Sequence, residues 1–459
     1  MTTDWRAPLL AGASILDARL AGRNPCDWPG YTPRPAVRVY RLRGGGPVAV
    51  AWDFSVHGGS FGEDDATALV AAARNAIAQR VPLLTLVRSG GIRLQEGMAA
   101  LVGIPRARLA LLALADAGLP HLSVADAPTT GGVWIGVAST ADLRVGVEGA
   151  TVAYAGPRIV QAVTGGLPAP GSHTAAGAYA AGLVDAVLPG DQVAAWVGRA
   201  LRALRPEPPA GPELPGAAEP ERLEPESTTG WEQVRRARSR TLGGADLLAR
   251  LLGDAVSLRA PGGDDTVAAR VGRLAGRPVV GVAVAARIGT RPTPDGYLLA
   301  ARAYRLADRL GLPVVSLVDT PGAEPGTAAE TGGIAPAMGA ALDALLTCRS
   351  PTVALVHGEG GSGGALAAAA ADVVLMTPDS YFAAIGPEGA GAALRLPPES
   401  CADLMRITPA DLVALGAADA VVGGVDAIAA YVEQQVALPG DLRRQLRLSR
   451  WSAPLPGQL

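Results

Sequence analysis

Two stretches decide the reading: HLSVADAPTTGGV, residues 121–133, and TVALVHGEGGSGGAL, residues 352–366. Each is an apolar run that ends in a glycine pair, Gly131–Gly132 in the first and Gly363–Gly364 in the second. A glycine pair between a buried strand and a following helix lets another chemical group approach the backbone, because no Cβ is in the way. The first N–H groups of that helix have no intrahelical partner, and the helix dipole favours negative charge beside them. Gly131, Gly132 and Val133, and Gly363, Gly364 and Ala365, are therefore two candidate sets of donors for an oxygen that gains charge during a reaction. Close helix–sheet packing would also use glycine. Recurrence of the pair in matching places favours the donor sites.

Working outward, the same layout repeats. PLLTLVRSGG (82–91) ends at Gly90–Gly91, and PVVSLVDTPG (313–322) ends at Gly322. Gly90 to Gly322 and Gly131 to Gly363 are both 232 residues, Gly156 to Gly386 is 230, and Gly182 to Gly416 is 234. Four anchors near one offset imply a tandem duplication of an α/β domain. Apolar strands alternate with helical stretches such as ATALVAAARNAIAQR and GYLLAARAYRLADRLG, which implies βαβ units and sheets buried on both faces. Residues 203–229, rich in proline and glutamate, read as a linker between domains at 1–202 and 230–459.

Composition narrows the chemistry. Of 459 residues, 49% are apolar, enough for large cores, and the net charge of −2 argues against a nucleic-acid binder. No uninterrupted apolar run of about 18 residues is present, so no membrane-spanning helix is expected. MTTDWRAPLL lacks a signal-peptide layout, and a cytoplasmic protein is expected. Cys26, Cys348 and Cys401 are scattered, without a CxxC pair; small buried residues are expected, and no metal site. All 40 basic residues are arginine. Without lysine, the chain holds no P-loop, no Schiff base and no attachment point for biotin or lipoate.

Two patterns in the second loop are decoys. Gly360-Gly361-Ser362-Gly363-Gly364 fits a nucleophile elbow, but His57, His121, His173 and His357 all precede Ser362, whereas that arrangement places its histidine after the serine. Gly358, Gly360 and Gly363 fit GxGxxG, with Asp379 downstream, but the first half has no counterpart. Glu96, Glu324, Glu359 and Glu388 lie in glycine-rich loops and read more readily as helix-end or ion-pair residues than as catalysts, and His57 as a surface residue. Anion-stabilising donors without an obvious base suggest that the base belongs to a cofactor or substrate.

SVHGGSFGE, SGGIRLQEG, HLSVADAPTTGGV, AYAGPRIV and GLVDAVL resemble the β subunit of bacterial acetyl-CoA carboxylase carboxyltransferase. GWEQVRRARSR, GRPVVGVAV, DTPGAEPG, GEGGSGGAL, YFAAIGPEGAG and ITPADLVALGAADAVV resemble the α subunit. The resemblance spans roughly 35–200 and 230–425 and implies two tandem crotonase-like (ClpP/crotonase spiral) ββα-repeat domains of α/β class. It implies transfer of a carboxyl group from carboxybiotin, carried on a separate protein, to the α-carbon of an acyl-CoA. By resemblance, Gly131, Gly132 and Val133 would hold the thioester oxygen and Gly363, Gly364 and Ala365 the ureido oxygen of biotin. Gly322, Gly386 and Gly389 would lie on the biotin side. Gly90, Gly91, Arg93, Gly156, Pro157 and Arg158 would lie on the acyl-CoA side, where Arg88, Arg93 and Arg158 could meet the CoA phosphates.

The implied partners are a biotin carboxyl carrier protein, a biotin carboxylase and a second copy of this chain, since the family's site lies between an N-type half of one protomer and a C-type half of another. Two departures stand out. The β subunit's four-cysteine zinc ribbon has no counterpart beyond Cys26, and only RIGTRPTPDGY stands where the α subunit has a longer basic stretch. The second departure supports an alternative, decarboxylation of a malonyl thioester without biotin. A non-catalytic scaffold that binds acyl-CoA or a carrier protein is a third reading, against which both retained glycine pairs count.

Overall fold

The computed structural model describes residues 4–16, 20, 22–204 and 220–452. It divides into two compact units, Met1–Leu201 and Arg202–Leu459. The middle of the expected linker, 205–219, lies outside the described residues. Residues after it belong to the second unit, where Leu223 bridges Val421 and the Tyr431 hydroxyl donates to the Glu221 carbonyl at 2.9 Å.

The first unit holds β1 (Ser14–Ile15), β2 (Val37–Arg41), β3 (Val48–Trp52), β4 (Leu83–Ser89), β5 (His121–Thr130), β6 (Leu143–Val147), β7 (Val152–Ala153) and β8 (Ala186–Leu188). Their order is β1-β2-β3-β4-β5-β6-β8, with β7 also on β5. The second unit repeats this with β9 (Gly253–Leu258), β10 (Val267–Leu274), β11 (Arg277–Val284), β12 (Val314–Thr320), β13 (Thr352–Gly361), β14 (Val373–Met376), β15 (Tyr381–Ala383) and β16 (Ala420–Val421). Their order is β9-β10-β11-β12-β13-β14-β16, with β15 on β13. In each unit the first three strands are antiparallel and the rest parallel. Parallel strands need crossovers, and the helices Glu63–Gln79 and Pro294–Leu310, each 17 residues, make the corresponding ones. Every residue of β3, β12 and β13 is buried, as two-sided cover requires.

The duplication is real, but its register differs by one residue from the glycine-to-glycine match. β5 and β13 are both ten residues long and lie 231 apart, so the residue entering the next helix is Gly131 in one unit and Ser362 in the other. Both have left-handed backbone, φ +64° and +63°. Gly91, not Gly90, matches Gly322: Ser89 Oγ accepts from Gly91 N at 3.2 Å, and Thr320 Oγ1 accepts from Gly322 N at 3.2 Å. Gly132 therefore matches Gly363, and Val133 matches Gly364. The match of Gly156 to Gly386 stands; each caps an eight-residue helix, Pro157–Thr164 and Pro387–Leu394.

The helix Met98–Asp116 is long and apolar enough to cross a bilayer by length and composition. It carries Arg106 and Arg108 at its middle and packs on Glu63–Gln79, where Gly103 faces the Ala66 methyl. Of the cysteines, Cys348 and Cys401 are buried as expected, whereas Cys26 is exposed because its segment lies on the surface.

Ser362 sits where a left-handed backbone costs an L-residue about 1–2 kcal/mol. Ser362→Gly should stabilise the protein by about 1 kcal/mol in urea unfolding, and Gly131→Ala should destabilise it by at least about as much. Loss of stability in Ser362→Gly would show that the side chain contributes more than the strain it carries.

Candidate active site

The second glycine loop opens on a cavity of about 720 Å³. Gly322, Gly363, Gly364, Gly386 and Gly389 all line it, so five residues singled out from the sequence meet in one place. Ala365 is fully buried behind them and does not line it. The helix Ser362–Ala369 begins at the cavity wall, so its first-turn amides, among them Gly363 and Gly364, have no partner inside the helix. One wall is apolar, formed by Ile334, Met338, Leu342 and Leu366. Arg238, Arg291, Glu324, Glu330 and Glu388 supply charge, and none of the lining residues is histidine.

Glycine is required here for space. A Cβ on Gly361 would lie 2.3 Å from the Pro321 carbonyl oxygen, and one on Gly364 would lie 2.6 Å from both Ala323 N and Tyr297 Oη. Tyr297 is wholly buried, its hydroxyl has no partner among the described residues, and burial raises its pKa, so it stays neutral.

In the first unit, β4 and β5 end against each other. A Cβ on Gly131 would lie 3.1 Å from Gly91 Cα. Gly131 gives its own N–H to the Tyr154 carbonyl at 2.9 Å, and Gly90 gives its N–H to the Gly58 carbonyl at 3.0 Å. The first-turn donors left at this loop are Gly132 and Val133, so Gly131 shapes the turn without donating to a ligand. Ile92 and Ile104 cover Gly132, with Cδ1 and Cγ1 2.6 and 2.9 Å from where a Cβ would stand. Gly156 caps the helix Pro157–Thr164, which has no buried residue and exposes Arg158 in its first turn.

Arg93 is not a phosphate ligand in this structure. Its side chain is wholly buried, with Nη2 at 2.7 Å from Asp65, Nη1 at 3.3 Å from Glu96 and 3.0 Å from the Arg34 carbonyl. Asp65 also accepts from the Val37 and Gly62 amides, each at 2.8 Å. Burial pushes the Asp65 carboxyl up to about 6, against the opposing pull of the Arg93 charge. Its neighbours fix the loop's base, and a buried arginine cannot meet a ligand. Arg88 is partly exposed and pairs with Asp126 at 3.1 Å.

The remaining acids and histidines read as structural. Glu96 is buried among Arg93, Tyr31 and the Glu63 amide. Glu324 accepts from the Gly326 amide at 3.0 Å. His57 is exposed, its Nε2 3.1 Å from the Thr32 carbonyl. Burial pushes His357 down to about 4, so it is neutral near pH 7. Ser362 lies on a strand-to-helix turn as an elbow would place it, but Gly131 adopts the same conformation in the first unit, so the turn belongs to the fold rather than to a nucleophile.

The residue that sequence reasoning missed is Arg238. Its Nε lies 2.9 Å from Glu359 Oε2, and Nη1 and Nη2 lie 2.7 and 3.1 Å from the two oxygens of Glu388. Hydrogen bonds from Arg238 hold the Glu388 carboxyl below the usual carboxylate range. The one signal in the sequence was the arginine cluster in WEQVRRARSR.

Removing Arg93 would leave Asp65 buried without its cation, which typically costs about 3–5 kcal/mol. Arg93→Gln should show that loss in urea unfolding. A variant with the parent's unfolding midpoint and weakened acyl-CoA binding would return Arg93 to the ligand-binding set.

Comparison with known proteins identifies the family. Residues 228–443 match the family model described as acetyl co-enzyme A carboxylase carboxyltransferase-like. The acetyl-coenzyme A carboxylase carboxyl transferase subunits beta/alpha of Salinispora arenicola is 38% identical over 400 residues, covering 81% of this chain and 69% of that protein. A probable biotin-dependent acyl-coenzyme A carboxylase beta3 subunit of Mycobacterium tuberculosis is 33% identical over 393 residues, 83% of this chain and 78% of that one. Among solved structures, transcarboxylase 12S superposes with a TM-score of 0.76 at 24% identity, covering 93% of this chain and 87% of its own. With this identity over more than two thirds of each relative, the chain belongs to the acetyl-CoA carboxylase carboxyltransferase family, a transferase family of crotonase-type α/β fold.

Proposed function

We propose that this chain moves a carboxyl group from carboxybiotin, held on a separate carrier protein, to the α-carbon of acetyl-CoA or another short acyl-CoA. The observation that carries this reading is the repeated strand–turn–helix: each unit ends paired parallel strands on a left-handed turn and presents first-turn amides beyond it. Two such donor sets suit a reaction in which two oxygens gain charge. The amides of Gly132 and Val133 would hold the thioester oxygen as the α-carbon loses its proton. Those of Gly363 and Gly364 would hold the ureido oxygen, and the apolar wall of Ile334, Met338 and Leu342 would take the ring system.

Carboxybiotin is the co-substrate: cleavage of its N–CO₂ bond leaves nitrogen with the electron pair that accepts the α-proton, and the α-carbon then bonds to CO₂. The protein's part is electrostatic, and each preorganised donor of this kind is typically worth about 10²–10³ in rate. The absence of histidine from the cavity wall is in keeping with a base supplied by the co-substrate. By the same reading the working form contains at least two copies of the chain, a biotin carboxyl carrier protein and a biotin carboxylase. The transcarboxylase 12S neighbour is itself described as a hexamer.

The reverse reaction tests the reading. Purified protein is incubated with malonyl-CoA or methylmalonyl-CoA, with and without biocytin, and acyl-CoA products are followed by mass. The reading predicts loss of CO₂ that depends on biocytin, faster with one of the two substrates. Equal turnover without biocytin would replace it with a biotin-independent malonyl-thioester decarboxylase, and no turnover with any acyl thioester would leave a scaffold. Dilution to the monomer, followed by sedimentation, should abolish the activity; a fully active monomer would overturn the shared-site arrangement.

A further inference from the structure

We propose that Arg238 is a positioning residue for the second donor site, a clasp that fixes the spacing of the two chain segments on either side of the cavity. The proposal rests on the reading above for what the site holds, but its geometry stands apart from it.

The clasp joins three elements. Arg238 is the last residue of the helix Gly230–Arg238. Glu359, its first partner, lies on β13 three residues before Ser362, at the entry to the glycine loop. Glu388, its second partner, is the second residue of the helix Pro387–Leu394, next to the cavity residues Gly386 and Gly389. One guanidinium thus touches the segment carrying Gly363 and Gly364 and the segment carrying Gly386 and Gly389. Its planar fork takes both oxygens of Glu388 while Nε takes Glu359, a division that a lysine ammonium cannot reproduce.

Each partner is held from behind. Glu359 Oε2 also accepts from the Tyr381 hydroxyl at 2.9 Å, and its backbone N–H donates to Asp319 at 3.0 Å. Asp319 is paired with Arg240. The helix that carries Arg238 is a fixed post: Gln233 Nε2 donates to the Pro378 and Ser380 carbonyls at 2.6 and 2.8 Å, and Val234 and Ala237 are buried with Tyr381, Ala402 and Ile407. The arginine side chain is 38% exposed and that of Glu388 is 53% exposed, so the pair adds little to global stability. Its consequence is local, the separation of two loops around a ligand.

The test compares the full-length parent with Arg238→Lys, Arg238→Gln, Glu388→Gln and the double variant Arg238→Gln/Glu388→Gln. Amide hydrogen exchange without ligand is read in peptides covering 359–367 and 385–394, with β3 to β5 of the first unit as an internal reference. Arg238→Gln should speed exchange in both peptides about 10-fold and leave the reference unchanged. In biocytin-dependent decarboxylation, the same variant should raise KM for biocytin about 10-fold, with kcat changed less than about 3-fold. The double variant should be no worse than Arg238→Gln, because the two act as one unit. Arg238→Lys should keep the fold and fall between parent and Arg238→Gln. Parent-like exchange in both peptides for Arg238→Gln and Arg238→Lys would overturn the clasp. If the parent shows no dependence on biocytin, the functional reading fails and the exchange data still decide the clasp.

Discussion

Each unit depends on a contact between two backbones. Where β4 meets β5 and where β12 meets β13 the chain segments lie close, at neighbouring rather than equivalent positions: a Cβ on Gly131 would stand 3.1 Å from Gly91 Cα, and one on Gly361 would overlap the Pro321 carbonyl, whereas the matching residues Ser362 and Thr130 carry side chains. A residue with left-handed backbone, Gly131 in one unit and Ser362 in the other, follows each strand. The turn swings the chain from strand into helix and leaves first-turn amides without a partner inside the helix. In the second unit they face a cavity. The sheets supply the rigidity, because parallel strands buried on both faces cannot shift without disturbing a close-packed interior.

Charge is used in two ways around this frame. In the first unit Arg93 is sealed in with Asp65 and Glu96, and its role is to hold the loop's base without meeting solvent. In the second unit Arg238 binds comparable acids at a partly exposed cavity wall. A buried pair of the first kind matters to stability, since removing one member strands the other. An exposed pair of the second kind matters to geometry. Two arginines of similar hydrogen bonding thus have different consequences because water reaches only one of them.

Much of this was legible in the sequence. Apolar runs ending in glycine announced strands meeting helices, and their recurrence announced the duplication. The register was not legible to the residue. The pairs Gly131–Gly132 and Gly363–Gly364 look equivalent as letters, yet Ser362 takes the left-handed place of Gly131, and residue type does not fix φ. The withdrawal of Gly131 as a donor was hidden for a similar reason, since its acceptor, the Tyr154 carbonyl, is a backbone group. Arg93 looked like a ligand for phosphate because sequence does not show burial. Arg238 went unnoticed because its partners lie 121 and 150 residues away.

The central claim is that the amides beyond the second left-handed turn stabilise charge on the co-substrate. The most direct test is Gly363→Pro, which removes the N–H at the second position of the helix Ser362–Ala369; because the preceding Ser362 is left-handed, urea unfolding on the same sample checks that the fold is kept. A Cβ there meets nothing closer than the Met338 methyl at 3.4 Å. Biocytin-dependent decarboxylation of malonyl-CoA and the affinity for malonyl-CoA are measured on the same sample. Turnover should fall about 10²–10³-fold while affinity is retained. Parent-like turnover would contradict it.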